Sequence, residues 1–233
     1  MPALFSVIIP AFNEARTIER AIRETQGVFQ GVGATEIIVI DDGSTDETAA
    51  LVERFGSSVQ FIRHAVNLGK GAAVKTGIQA AVGEWALFLD ADLATHPMQV
   101  ALFLPHLETA DVVIGSRRVP GSRILERQPW YREWAGRAFN AFIRIYFGIA
   151  FHDTQCGFKA FHRRTFSVFD GLQTYGWVFD VELLLDAQAA GFRVHEVPVT
   201  WRHGRESRVR LSNGWGILRA LRQIKRERVR RGR

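Results

Sequence analysis

Asp90-Ala91-Asp92 follows directly on Trp85-Ala86-Leu87-Phe88-Leu89, an apolar run of strand type. A strand that ends in two carboxylates two residues apart holds both near the carboxyl edge of a sheet, which is where open α/β sheets bind ligands. Carboxylates so close repel one another and are costly to desolvate unless a cation joins them. A hard divalent ion that also grips substrate phosphates meets that need. The residues therefore point to a metal–diphosphate site. A solvated turn is the simpler alternative, and Asp41-Asp42, which ends the apolar run Ile37–Ile40 in the same way, weakens it.

Three further constellations fit such a site. Ser6–Pro10 reads as a strand with a proline stop, and Ala11-Phe12-Asn13-Glu14 as a helix N-terminus whose backbone N–H groups suit an anion or a nucleotide edge. Asp41 or Asp42 could hold a base or a ribose hydroxyl, although one of them, Asp41 first, could simply cap the next helix. Asn67-Leu68-Gly69-Lys70-Gly71 sets Lys70 between glycines, where it could reach a diphosphate. The G-x-x-x-x-G-K-[ST] spacing of a P-loop is absent. A phosphatase of the D-x-D-x-T kind is excluded, because position 94 is Ala and Thr95 comes one residue late.

The elements that must carry these residues follow from periodicity. Leu4–Ile9, Glu36–Ile40, Val59–Ile62, Trp85–Leu89 and Asp111–Gly115 read as strands, with Val194–Trp201 a later one. Helices fall between them. One is capped by Asn13, another opens on a Ser44–Glu47 capping box, and a third runs from Gly69 to Val82. Alternation of this kind implies βαβ units and a parallel sheet. Ala138–Phe151 reads as an interfacial or a buried helix, and Trp177–Gly191 and Gly214–Arg231 as two more helices. At 233 residues with 47% hydrophobic and 23% charged residues the chain is globular. Its single cysteine, Cys156, fits a reducing compartment, and neither a signal peptide nor a span of about 18 apolar residues is read.

Pro10–Glu14, Asp41–Asp46, Asn67–Gly71 and Asp90–Asp92, in this order and spacing, resemble the family 2 glycosyltransferases of GT-A fold. Gly115-Ser116-Arg117, Asp153–Phe161, Phe179–Leu184 and Glu196–Val199 narrow the resemblance to polyprenyl-phosphate hexose synthases, nearest to the dolichyl-phosphate β-glucosyltransferases. It covers about residues 4–212. The fold it implies is an α/β, Rossmann-like, mostly parallel sheet flanked by helices, over a domain 1–212 with a basic helical tail 213–233. Pro10, Phe12, Glu14 and Asp42 would hold the nucleoside. Asp90, Ala91 and Asp92 would meet the diphosphate, Asp90 and Asp92 through Mg²⁺ or Mn²⁺. Arg117, Arg202 and Arg208 would face the phosphates of donor and acceptor. Asp92, Arg117 and Asp180 are the candidate catalytic residues, with an N-cap role the alternative for Asp180. The implied reaction inverts a hexose, glucose from UDP-glucose, onto a polyprenyl phosphate. Ala94, where mannosyl synthases commonly carry Gln, stands against GDP-mannose, which remains the alternative together with a glycan acceptor.

The charge distribution points to a surface. Residues 219–233 hold eight Lys or Arg and one acid, a charge of +7, so the other 218 residues carry −1 of the total +6. Ile217, Leu218, Leu221 and Ile224 form an apolar stripe, with Arg219, Arg222, Arg226 and Arg230 on another face. That is the pattern of a helix lying on an anionic membrane. A solvated or partner-binding helix is the alternative. A nucleic-acid partner is not expected, since no aromatic residues interleave with the basic run. The expected setting is the cytoplasmic face of a membrane, peripherally bound.

Overall fold

The computed structural model describes residues 4–33, 35–126, 130–176, 178–202 and 214–230. Strands β1 (Phe5–Ala11), β2 (Thr35–Asp41), β3 (Gln60–Arg63), β4 (Trp85–Leu89) and β5 (Val112–Ser116) fall on the apolar runs, within a residue or two at each end. Between them lie α1 (Ile18–Phe29), α2 (Thr48–Glu53) and α3 (Lys70–Ala80). The second half of the chain adds β6 (Arg123–Glu126), α4 (Trp130–Phe147), β7 (Phe158–His162), α5 (Phe179–Ala189), β8 (Val194–Pro198), β9 (Thr200–Arg202) and α6 (Gly214–Arg230). The segment expected as one strand over Val194–Trp201 is two, because β8 pairs in the main sheet and β9 leaves it to pair with β6.

Seven strands form one sheet in the order β3-β2-β1-β4-β7-β5-β8. Every neighbouring pair is parallel except those of β7, which runs antiparallel to both β4 and β5. This reversal has a direct consequence for the site. Leu89 at the end of β4 lies opposite Phe158 at the start of β7. The loop before β7 is thereby delivered to the same sheet edge as Asp90.

Strand alternation divides the core in two. Val7 and Ile9 of β1 pack on the α1 side with Ile18, Ile22 and Phe29, while Ile8 packs on the α3 side with Ala73, Val74 and Ile78. Helix α1 buries Ile18, Ala21, Ile22, Thr25 and Phe29, one face of a 3.6-residue repeat. Helix α5 is buried nearly all round, with Leu183 and Leu184 toward the sheet and Val181 and Leu185 toward a third cluster. That cluster holds Ile143, Leu221 and Ile224. Most of the apolar stripe of α6 therefore covers the protein rather than facing outward, with Leu218 left exposed. Leu221 and Ile224 are 1% and 3% exposed, and burying each contributes about 1.5–3 kcal/mol. Arg228 of α6 adds an ion pair to Asp186 of α5 at 3.2 Å.

Candidate active site

The ends of β1, β2 and β4 are neighbours in the sheet, so their three sequence motifs meet. The first two motifs interlock. Asn13 takes a left-handed conformation with φ 53°, which Asn tolerates better than most residues. Its Oδ1 accepts hydrogen bonds from the Thr45 and Asp46 backbone N–H groups at 2.8 and 3.3 Å. Ser44 Oγ accepts from Asn13 N at 2.8 Å, and Thr48 Oγ1 from Glu14 N at 2.8 Å. The expected local caps are thus replaced by tertiary ones. Helix α1 has Thr17 at its N-cap without a side-chain bond, and Glu47 rather than Ser44 stands at the N-cap of α2. A local cap and a cross-loop bond compete for the same donors, and the cross-loop bonds also fix the β1–α1 turn against the β2–α2 turn.

Asp42 is already engaged. Its Oδ1 accepts from Leu68 N at 2.9 Å and lies 2.7 Å from His64 Nδ1, and its Oδ2 accepts from Gly69 N at 2.8 Å. It therefore shapes the Asn67–Gly69 loop, and any nucleoside contact would share these oxygens. Asp41 Oδ1 accepts from Ser44 N at 3.0 Å. The glycines around Lys70 are required by packing. Gly69 has φ 100°, and a side chain at either Gly69 or Gly71 would meet the Tyr175 backbone. Lys70 is held under that loop with its Nζ paired to Asp90 Oδ1. Burial opposes its charge, but Asp90, Asp180 and Asp92 outweigh it, and the ammonium pKa stands above the ordinary lysine value.

The Asp90–Asp92 turn is itself strained at Leu93, with φ 56°, a backbone state costing about 1 kcal/mol or more for such a residue. Leu93 N donates to Asp90 O at 3.0 Å, and Ala94 N to Asp92 Oδ1 at 2.9 Å. Gly157, brought in by the loop before β7, lies so close that a methyl group there would overlap the Asp90 carboxylate. Among the described residues no group of three or more His, Cys, Asp or Glu could hold a metal alone. Two carboxylates lining an open cavity suit Mg²⁺ or Mn²⁺, which take one or two carboxylates and leave positions for phosphate oxygens and water. The Lys70 ammonium against Asp90 shows that this edge already attracts a cation.

The loop before β7 rests on two buried ion pairs. Arg117 Nε donates to Asp153 Oδ2 at 2.6 Å and Nη2 to Oδ1 at 2.9 Å, a bidentate fork on a fully buried carboxylate. Burial alone would raise the Asp153 pKa, but the Arg117 charge and hydrogen bonds hold it at about 2. Arg117 correspondingly stands above its ordinary value. The stabilisation from ionised Asp153, about 2 kcal/mol, is complete above its ordinary value of 3.8 and fades as pH falls toward 2. Asp153→Asn should flatten that part of the acid-unfolding profile, read by denaturant titration from pH 7 to pH 2. An unchanged slope would contradict the pairing.

The second pair joins Lys159 of β7 to Asp180 of α5. Lys159 is 0% exposed. Its Nζ donates to Asp180 Oδ1 at 2.6 Å and to the Cys156 carbonyl. Asp180 is thus not an N-cap, since Val178 holds that position. Cys156 packs as a small apolar residue beneath the site, 3.9 Å from Thr95 Oγ1, with burial raising its thiol pKa.

A single cavity of about 1110 Å³ gathers these groups. Pro10, Phe12, Glu14 and Asp42 line it, as do Lys70, Asp90, Ala91 and Asp92, and so do Arg117 and Asp180. Arg202 does not join them, because its Nε lies 3.5 Å from Glu126 on the outer two-stranded ribbon. Arg208 lies outside the described residues. Three arginines that the sequence analysis did not assign to the site also line the cavity: Arg118, Arg137 and Arg144. Arg118 was legible only as the neighbour of Arg117, and the other two lie on the cavity side of α4. Arg118 Nε is buried without a hydrogen-bond partner among the described residues. Burial lowers its pKa, and Arg117 and Arg137 add to that effect against Asp153 and Glu133.

The fold is that of a GT-A domain, and comparison with known proteins places it. The model of the family "Glycosyl transferase family 2" matches residues 6–169, and the chain belongs to that family. It is 38% identical over 215 residues to the glycosyltransferase AglD of Haloferax volcanii, covering 88% of this chain and 34% of that protein. It is 34% identical to the dolichyl-phosphate beta-glucosyltransferase of Dictyostelium discoideum, covering 84% of this chain and 65% of that one. The polyprenol monophosphomannose synthase of Mycolicibacterium smegmatis is 30% identical, over 92% of this chain and 83% of that one. The chain thus spans only about a third of AglD and about two thirds of the Dictyostelium enzyme. A Mycobacterium tuberculosis glucosyl-3-phosphoglycerate synthase, solved with Mn²⁺ and UDP-glucose, shares the fold with a TM-score of 0.67 at 24% identity, over 91% of this chain and 74% of that one.

Proposed function

We propose that this chain transfers a hexose, glucose from UDP-glucose, onto a polyprenyl phosphate, with inversion at the anomeric carbon. The observation that carries the reading is the polarity of the cavity. Asp90 and Asp92 follow β4 and Lys70 opens α3, while Arg117 and Arg118 follow β5 and Arg137 and Arg144 stand on α4, so different elements supply its acidic and its basic lining. The acidic lining suits a metal-bound diphosphate donor. The basic lining suits a second, separate phosphate, and the unmet Nε of Arg118 is a buried donor that a phosphate oxygen would satisfy. The relatives named as dolichyl-phosphate glucosyltransferases and as a polyprenol monophosphomannose synthase support a lipid phosphate in that position.

Asp90 and Asp92 would hold Mg²⁺ or Mn²⁺, which supplies neutralisation of the charge on the departing diphosphate. Lys70, fully protonated, stands beside the same charge. The acceptor phosphate oxygen forms the new bond to the anomeric carbon as the bond to the nucleotide diphosphate breaks. A phosphate monoester has a second pKa near 6, so it arrives largely as the dianion and no proton needs to be removed. The arginines orient it. Asp180, tied to Lys159, then acts on the donor sugar or on the site's shape rather than as an essential base.

This makes Asp180→Asn informative. Transfer per folded molecule should fall by no more than about tenfold, whereas loss of a general base costs about 10²–10⁴-fold. A loss in the larger range with a lipid phosphate acceptor would overturn the no-base mechanism. No described helix is long and apolar enough to cross a membrane. The outward basic face of α6 supports work at the cytoplasmic face of an anionic membrane.

A further inference from the structure

Helix α4 turns an apolar face to solvent. Trp130, Trp134, Ala138 and Ile145 repeat at i, i+4, i+8 and i+15, and all are exposed, with Ala141 on the border between this face and the cavity. Trp130 is 75% exposed, Trp134 66% and Ile145 85%. Tyr131 and Phe142 flank the stripe at 48% and 41%. The other side of the same helix buries Ile143 and lines the cavity with Gly136, Arg137, Asn140 and Arg144. One helix is therefore both a wall of the site and a large exposed apolar surface, and surfaces of that kind mark a partner.

Two observations choose the partner. The first is composition. Trp and Tyr concentrate at the N-terminal end of the stripe, and these side chains sit best at the boundary between lipid headgroups and acyl chains. The second is continuity with charge. Phe142 stacks on Tyr146 with ring centroids 5.2 Å apart, and Lys225 of α6 lies 4.1 Å over the Tyr146 ring. From there α6 presents Arg219, Arg222, Arg226 and Arg230, all exposed, and over residues 214–230 it carries a net charge of +5. Anionic headgroups complement that arrangement, whereas a second copy of the chain would bring two such helices together against their repulsion.

We propose that α4 lays its apolar face into the headgroup boundary of an anionic membrane while the basic face of α6 rests on the headgroups, so that the cavity opens at the lipid surface. Insertion by α4 differs from insertion by α6, whose own stripe is occupied by the cluster around Val181 and Leu185. The membrane contact stands apart from the proposed reaction. Only its use, to deliver a lipid phosphate from the bilayer to the basic lining of the cavity, rests on that reading.

The test is flotation of the full chain with phosphatidylcholine vesicles, with and without phosphatidylglycerol, and without donor or acceptor. The wild type should float with the anionic vesicles. Trp134→Ala combined with Ile145→Asp should lower the partition coefficient by at least about tenfold with unchanged circular dichroism, since both side chains are exposed. Arg222→Ala with Arg226→Ala should weaken binding only at low salt. Equal flotation of the α4 variant and wild type would overturn the proposal. So would absence of wild-type flotation, or a wild-type dimer that the α4 variant converts to a monomer. Failure of the proposed reaction is separable: vesicle binding lost in the α4 variant, but no transfer to lipid by the wild type, would leave the docking surface standing and remove the acceptor. If both hold, the α4 variant should still use a water-soluble short-chain prenyl phosphate while losing transfer to acceptor embedded in vesicles.

Discussion

Gly157→Ala should lower transfer activity by about 10²-fold or more while leaving the protein folded. The residue has no positive φ, so alanine is allowed by the backbone. The three nearest atoms that a methyl group would meet all belong to the Asp90 carboxylate. That carboxylate is part exposed and paired to Lys70, so it can swing away at little cost in stability. In the proposed reaction that carboxylate positions the metal, and displacing a positioning group by about 1 Å can cost 10²-fold. Initial rates over a Mn²⁺ titration, beside a thermal melt, separate the two effects. The expected result is a weakened metal dependence with a melting temperature within a few degrees of wild type. Full activity at wild-type metal concentration would show that Asp90 is not held where transfer requires it.

Lys159→Met should have the largest effect on stability. It removes a fully buried ammonium and leaves Asp180 and the Cys156 carbonyl without their donor. Breaking a buried pair from one side costs about 3–5 kcal/mol, because an uncompensated charge stays behind. In a chain of this length that lowers the melting temperature by about 10 °C. The double variant Lys159→Met with Asp180→Leu removes both charges and should recover most of the loss, since replacement of both partners by apolar groups is often neutral. Its activity should not recover, because the start of β7 and the cavity wall at Asp180 are both changed. A single variant as stable as wild type would mean that Lys159 leaves the pair without penalty, and the loop before β7 would then need another anchor.

The parallel half of the fold was legible because each strand is an apolar run ending in polar residues, and each helix between them repeats at 3.6 residues. The carboxylate pairs and Lys70 were readable from the residues, and the family resemblance implied the others of the ten candidates, from Pro10 to Asp180, that line one cavity. Strand β7 was not legible. Phe158-Lys159-Ala160-Phe161 is short and carries a lysine, and it is strand-like only because Asp180, 21 residues on, neutralises that lysine. The local caps failed for a related reason: Asn13 and Ser44 satisfy each other's loops across 31 residues instead of their own helices. In α6 the buried residues are Leu221 and Ile224, and periodicity shows that a face is apolar and not what covers it. Arg202 was displaced from the site by the β6–β9 pairing, which sets it beside Glu126. The resemblance to the family supplied order and spacing, and the physical reason for that spacing is the mutual bonding of the loops.

In the proposed reaction one cavity joins a metal-bound sugar donor to a lipid phosphate. The most direct test is a transfer assay on the purified chain with Mg²⁺, radiolabelled UDP-glucose or GDP-mannose, and a polyprenyl phosphate in detergent. The predicted result is label in the lipid phase only when UDP-glucose and the lipid are both present, abolished by Asp92→Ala. Label from GDP-mannose instead would keep the site and change the sugar. No label in the lipid phase from either donor, with the protein folded, would contradict the account.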